Sequence, residues 1–93
     1  INSQARHPQA ASLSKDEVAI VWDEYYEKTD SYCNRIRILI KNKSKENNLN
    51  YITSESINAL YPAVLKLNNG NLLISWTQKI DGDSQVCYKQ YLR

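Results

Sequence analysis

The stretch YPAVLKLNNGNLLISW, residues 61–76, has an ungapped counterpart earlier in the chain, HPQAASLSKDEVAIVW at 7–22. Pro62 falls on Pro8, Leu67 on Leu13 and Trp76 on Trp22, and just upstream Ala59 falls on Ala5. The offset is constant at 54 (62 − 8, 76 − 22). Each copy reads as two short apolar runs around a polar turn. In the second copy the runs are 63–67 and 72–76, joined by Asn68-Asn69-Gly70-Asn71. Asn-Gly between apolar runs signals a hairpin, because both residues tolerate positive φ. In the first copy the runs are 9–13 and 18–22, with Lys15-Asp16 in the same two places and weaker turn chemistry.

A polar insert follows each tryptophan, DEYYEKTDSYCN at 23–34 and TQKIDGDS at 77–84, and each Trp is expected to close its strand. A third strand comes next, RIRILIK at 35–41 and QVCYKQYL at 85–92, and the first copy adds a fourth at 50–54. No segment keeps a helical period of 3.6, and β-branched and aromatic residues gather in the short runs. Proline at the opening of a strand forfeits no ladder bond.

Four antiparallel strands repeating at about 50 residues are the signature of β-propeller blades. The predicted fold is therefore all-β: two consecutive four-stranded antiparallel blades, 5–58 and 59–93, the second lacking its outer strand. An open edge invites pairing, and residues 1–5 are too short to supply the missing strand.

The 93 residues bound the chain to one small domain, and the formal charge of +2 comes from interleaved acids and bases. That pattern argues against nucleic acid, and the run KNKSK at 41–45 reads as a solvated hairpin end. No apolar run nears the ~20 residues that cross a bilayer, so no membrane partner is expected. The sequence contains no methionine, and the chain is expected to be a fragment or processed piece of a longer protein. Cys33 and Cys87 fall at non-equivalent places, Cys33 before a strand and Cys87 within one, and are expected to be unpaired thiols. With two cysteines and one histidine, no zinc site and no cofactor are expected. Asp81-Gly82-Asp83 lacks the further spaced acids of a calcium loop and reads as a turn.

The segment SKENNLNY at 44–51 resembles the Asp-box, S-x-D-x-G-x-x-W, of sialidase-type propellers (the BNR repeat). Ser44 matches, and Glu46, Asn48 and Tyr51 stand at the Asp, Gly and Trp places. With the arginine in the third strand before it and the Tyr-Pro hairpin after it, the chain resembles the last two blades of a sialidase. In that family three arginines grip the substrate carboxylate, where a bidentate guanidinium fits, and a tyrosine attacks the sugar. The resemblance implies that Arg35 is the last arginine and Tyr61 the nucleophile. Two departures stand against it: Pro62 follows the tyrosine where the family tends to have Ser, and Trp76-Thr77 stands where it tends to have Tyr-Glu. Because His7-Pro8 repeats Tyr61-Pro62, aromatic-Pro also reads as a feature of the repeat. Arg35 has an ordinary reading too, as one of two strand arginines, with Arg37, expected to face opposite sides.

The loops on the ligand side of a propeller would carry Arg6, His7, Tyr61, Asp23, Glu24, Tyr25, Tyr26, Gln78 and Lys79. Tyrosines, carboxylates and an arginine on one rim suit a sugar, whose apolar faces stack on rings while polar groups fix the hydroxyls. The ordinary alternative leaves Asp23 and Glu24 solvated and the tyrosines covering strand ends, while Trp22 and Trp76 fill the core between blades. The expected function is that of a two-blade part of a secreted or periplasmic carbohydrate-binding or carbohydrate-active protein, inactive by itself. A fragment of a catalytic exo-sialidase is one alternative. A two-blade lectin that closes a six-blade ring as a trimer is another, so the expected partners are carbohydrate and either the remaining blades of a parent protein or identical chains.

Overall fold

The computed structural model describes residues 4–44 and 47–93. Among these residues seven strands follow in order: β1 (Ala5–Ser14), β2 (Glu17–Glu27), β3 (Tyr32–Asn42), β4 (Asn48–Tyr51), β5 (Ala59–Lys66), β6 (Leu72–Ile80) and β7 (Asp83–Tyr91). They make a four-stranded sheet, β1-β2-β3-β4, and a three-stranded sheet, β5-β6-β7, with every pair antiparallel. The all-β reading holds, as does the count of four strands and then three. Among the described residues no helix is long and apolar enough to cross a membrane.

Side chains alternate across a strand, and the sequence uses that period to build one core between the sheets. From the first sheet, Ala19, Val21, Ile36, Ile38 and Ile40 point inward; from the second, Leu72, Ile74 and Trp76 meet them. Register confirms the shared faces, since Val21 lies opposite Ile38 and Ala19 opposite Ile40. β5 is the strand of the second sheet that lies against β1, β2 and β3. Fully burying one such aliphatic side chain stabilises by about 1.5–3 kcal/mol.

The repeat survives in three dimensions as a shared irregularity. Arg6 pairs with Asp23 and Gln9 with Val21, so His7 and Pro8 together face the single residue Trp22. Likewise Leu60 pairs with Thr77 and Ala63 with Ser75, so Tyr61 and Pro62 face Trp76. Both are β-bulges. Proline lacks the N–H that an unbulged ladder would need, and the bulge removes that demand. The extra residue in each case has a left-handed backbone, with φ of 55° at His7 and 57° at Tyr61.

Several expectations are corrected. The inserts after the tryptophans are largely strand: β2 and β3 pair without a break from Glu17 opposite Asn42 to Glu27 opposite Tyr32. Ladder hydrogen bonds satisfy the backbone whatever the side-chain polarity, so neither Trp22 nor Trp76 ends its strand. Cys33 consequently lies within β3, and both cysteines carry free thiols. The fourth strand begins earlier and ends at Tyr51. Beyond it the pairing turns irregular: Ile52 N–H donates to Ile36 O at 2.7 Å, and Thr53 Oγ1 accepts from Ile36 N–H at 3.0 Å. In the β5–β6 turn only Gly70 is left-handed, with φ of 89°. Asn69 instead uses Oδ1 to accept from Asn71 N–H at 3.0 Å. The tight turn with two left-handed residues is Asp81-Gly82, at φ of 51° and 84°, closing β6 onto β7. Residues 45 and 46 lie outside the described residues, and with them the Asp position of the box, Glu46. Ser44 bonds to Asn42 Oδ1 through its N–H and its hydroxyl.

Candidate functional site

Each bulge lies beside the C-terminal end of its partner strand, since Ala5 pairs with Glu24 and Ala59 with Gln78, and contacts between Asp23, His7 and Tyr61 bring the two ends together. There three of the expected residues meet. Asp23 occupies the core-facing side of β2, next after Ala19 and Val21, and is fully buried. Its Oδ2 contacts His7 Nδ1 at 2.7 Å and accepts the backbone N–H of Tyr61 at 2.9 Å. One carboxylate oxygen therefore ties the bulge of the first sheet to the bulge of the second. The rings of His7 and Tyr61 lie 4.5 Å apart, tilted by 45°. Both face solvent, with the His7 side chain 42% and Tyr61 60% exposed.

Asp23 is incompletely satisfied. Its Oδ1 is buried and has no hydrogen-bond partner among the described residues. A carboxylate buried this way is expensive unless its neighbours compensate, and here a ring N–H and a backbone N–H serve one oxygen only. The contact with Asp23 is made through Nδ1, so Nε2 is the ring nitrogen that Asp23 does not engage. Non-glycine residues with positive φ, strained by about 1–2 kcal/mol each, hold the two rings.

The solvated reading of Asp23 and Glu24 is thus overturned: Asp23 is core-facing, and Glu24 is buried on the opposite face of the sheet. There Glu24 accepts from Trp22 Nε1 at 3.1 Å and from Arg37 Nη1 at 3.2 Å. Arg35 lies on this same face, opposite Glu24 in the ladder. Its Nε and Nη2 both donate to Thr53 O, at 3.1 and 2.9 Å, and its guanidinium covers the Tyr51 ring at 3.6 Å. Arg37 approaches the same ring at 4.2 Å. Arginines two apart on a strand share a face, which corrects the expectation that they diverge. Arg35 and Tyr61 are therefore not brought together; a sheet stands between them.

The remaining expected residues are dispersed around the rim. Arg6 is exposed and donates to Gln4 Oε1 at 2.7 Å. Tyr25 stacks on Tyr32 at 5.3 Å, and Tyr26 sits edge-on to Tyr51. Hydrogen bonding to Glu55 raises the Tyr26 phenol above its ordinary value, with the carboxylate charge adding to the effect. Gln78 accepts from Trp76 Nε1 at 2.7 Å, repeating the Trp22–Glu24 bond 54 residues on (76 − 22, 78 − 24), and Lys79 is exposed. Tyr51, Thr53 and Glu55 are neighbours of these side chains that the sequence pattern does not announce. Strand alternation through Arg35 and Arg37 could have pointed to Tyr51; the Thr53 carbonyl left no signal. Among the described residues no group of three or more His, Cys, Asp or Glu could hold a metal ion.

No family model, no curated protein and no solved structure matches this chain.

Proposed function

We propose that the two sheets are consecutive blades of a sialidase-like β-propeller and that the chain binds carbohydrate at the junction between them. The observation that carries this reading is the exposed His7–Tyr61 ring pair, tethered from below by the buried Asp23 carboxylate. Two rings at an angle offer a stacking surface for a sugar's apolar face, and His7 Nε2 and the Tyr61 hydroxyl flank it for sugar hydroxyls. The 54-residue repeat, the paired bulges and the face-to-face sheets support the propeller part. Binding is favoured over hydrolysis because the Arg35 guanidinium is committed to Thr53 O and Tyr51 on the other face.

The test is titration of the chain with sialosides and neutral oligosaccharides, followed by calorimetry and by His7 and Tyr61 ring resonances. The reading expects binding that perturbs both rings and falls at least about tenfold in Tyr61→Ala, the loss of roughly 1.4 kcal/mol. Saturable binding that leaves both rings unperturbed, or no binding to any of these sugars, overturns it.

A further inference from the structure

The internal repeat makes each outer face of the molecule the counterpart of an inner one. Inside, the face of the first sheet bearing Ala19, Val21 and Asp23 packs on the face of the second bearing Leu72, Ile74 and Trp76. Moving 54 residues forward, Ala19, Val21 and Asp23 become Leu73, Ser75 and Thr77, which lie on the outer face of the second sheet. Moving back, Leu72, Ile74 and Trp76 become Val18, Ile20 and Trp22, on the outer face of the first.

Both outer faces carry apolar surface. On the second sheet Val86 is 78% and Tyr88 75% exposed, lying opposite Thr77 and Ser75 in the ladder. Leu65, opposite Leu73, is 58% exposed. On the first sheet Leu49 is 47% exposed opposite Leu39, beside half-buried Ile20 and Trp22. Large exposed residues gathered on one sheet face mark an interaction surface rather than ordinary scatter.

We propose that the outer face of the second sheet docks the outer face of the first sheet of another copy of this chain, continuing the internal sheet-on-sheet interface head to tail. The contact is heterologous: one copy offers Leu65, Val86 and Tyr88, the next offers Ile20, Trp22 and Leu49. Such contacts close into a ring or extend as a filament according to the rotation between copies. The junction also completes a second rim site. Thr77 takes the place of Asp23, Tyr61 that of His7, and His7 of the incoming copy that of Tyr61. The Thr77 hydroxyl oxygen then accepts the backbone N–H of that histidine, and the histidine and tyrosine rings pair again in exchanged order. This inference rests on the repeat and not on the sugar reading.

The experiment is sedimentation velocity across a concentration series, with circular dichroism confirming the fold of each variant. Val86→Asp with Tyr88→Asp alters one face, and Leu49→Asp the other; all three residues are exposed, so the fold is expected to be retained. The wild-type chain is expected to sediment as a closed oligomer or a growing series, each variant as a monomer, and their equimolar mixture as a dimer that grows no further. Dimer in the mixture is the signature of one intact face on each partner. A wild-type monomer at every concentration overturns the proposal, as does a mixture that stays monomeric while the wild type associates. Should Leu49→Asp lose its fold, Leu39→Lys on the same face replaces it in the same mixing test.

Discussion

The carboxylate of Asp23, on β2, accepts the backbone N–H of Tyr61, on β5, at 2.9 Å across the junction of the two sheets. The two residues are thirty-eight apart in sequence, and the bond joins a fully buried side chain to a left-handed bulge. A hydrogen bond to a charged acceptor contributes about 1.5–3 kcal/mol, and less where its donor is partly exposed. Asp23→Ala is therefore expected to lower unfolding free energy by about 1–3 kcal/mol in urea denaturation. Asp23→Asn keeps an acceptor oxygen for Tyr61 N–H and should lose less. Equal losses in the two variants would show that charge, not the acceptor, matters at this position.

The left-handed backbone at Tyr61 separates architecture from recognition. Asparagine tolerates positive φ far better than tyrosine, so Tyr61→Asn relieves strain while removing an exposed ring. Stability is expected to change by no more than about 1 kcal/mol, while sugar binding falls as in Tyr61→Ala. A large loss of stability in thermal or urea unfolding would assign the ring to holding the junction instead.

How far the fold could be read from residues is clearest at the repeat. Pro8 with Pro62 and Trp22 with Trp76 announced two hairpins, and the structure adds that each Pro and its predecessor face one Trp across a bulge. The strand ends are not legible in the sequence because charged and aromatic runs such as DEYYE look like loop, yet ladder bonds are indifferent to side chains. At the candidate site, the sequence marks His7, Asp23 and Tyr61 individually as rim residues. Their convergence was not legible, because it depends on how one sheet lies on the other. The burial of Asp23 follows from alternation with Ala19 and Val21, a pattern that its charge disguised.

At Tyr26, Glu55 favours the neutral phenol, so the folded chain holds this proton more tightly than the unfolded one. Any contribution to stability is then present below the ordinary tyrosine value of 10.0 and is lost as pH rises through the higher folded value. Removing the carboxylate should bring the titration down. The phenolate absorbance difference between the chain and its Tyr26→Phe variant is expected to shift to lower pH in the Glu55→Gln background. No shift would mean that Glu55 is not the group acting on Tyr26.

The two tryptophans make the same bond to the residue two positions on, Glu24 and Gln78, yet only Trp76 is enclosed by the second sheet's partner. Trp76 is 8% exposed and belongs to the core, whereas Trp22 is half-buried on an outer face. Trp76→Ala should therefore cost about 3–5 kcal/mol, as for a large aromatic removed from a packed interior. Trp22→Ala leaves no enclosed cavity in the single chain and should cost clearly less at concentrations where it is monomeric. If copies dock head to tail, Trp22 gains the surroundings that Trp76 already has, and the penalty for Trp22→Ala grows with protein concentration while that for Trp76→Ala does not. Urea unfolding of both variants at low and high concentration measures that difference, and a concentration-independent Trp22 penalty counts against docking on that face.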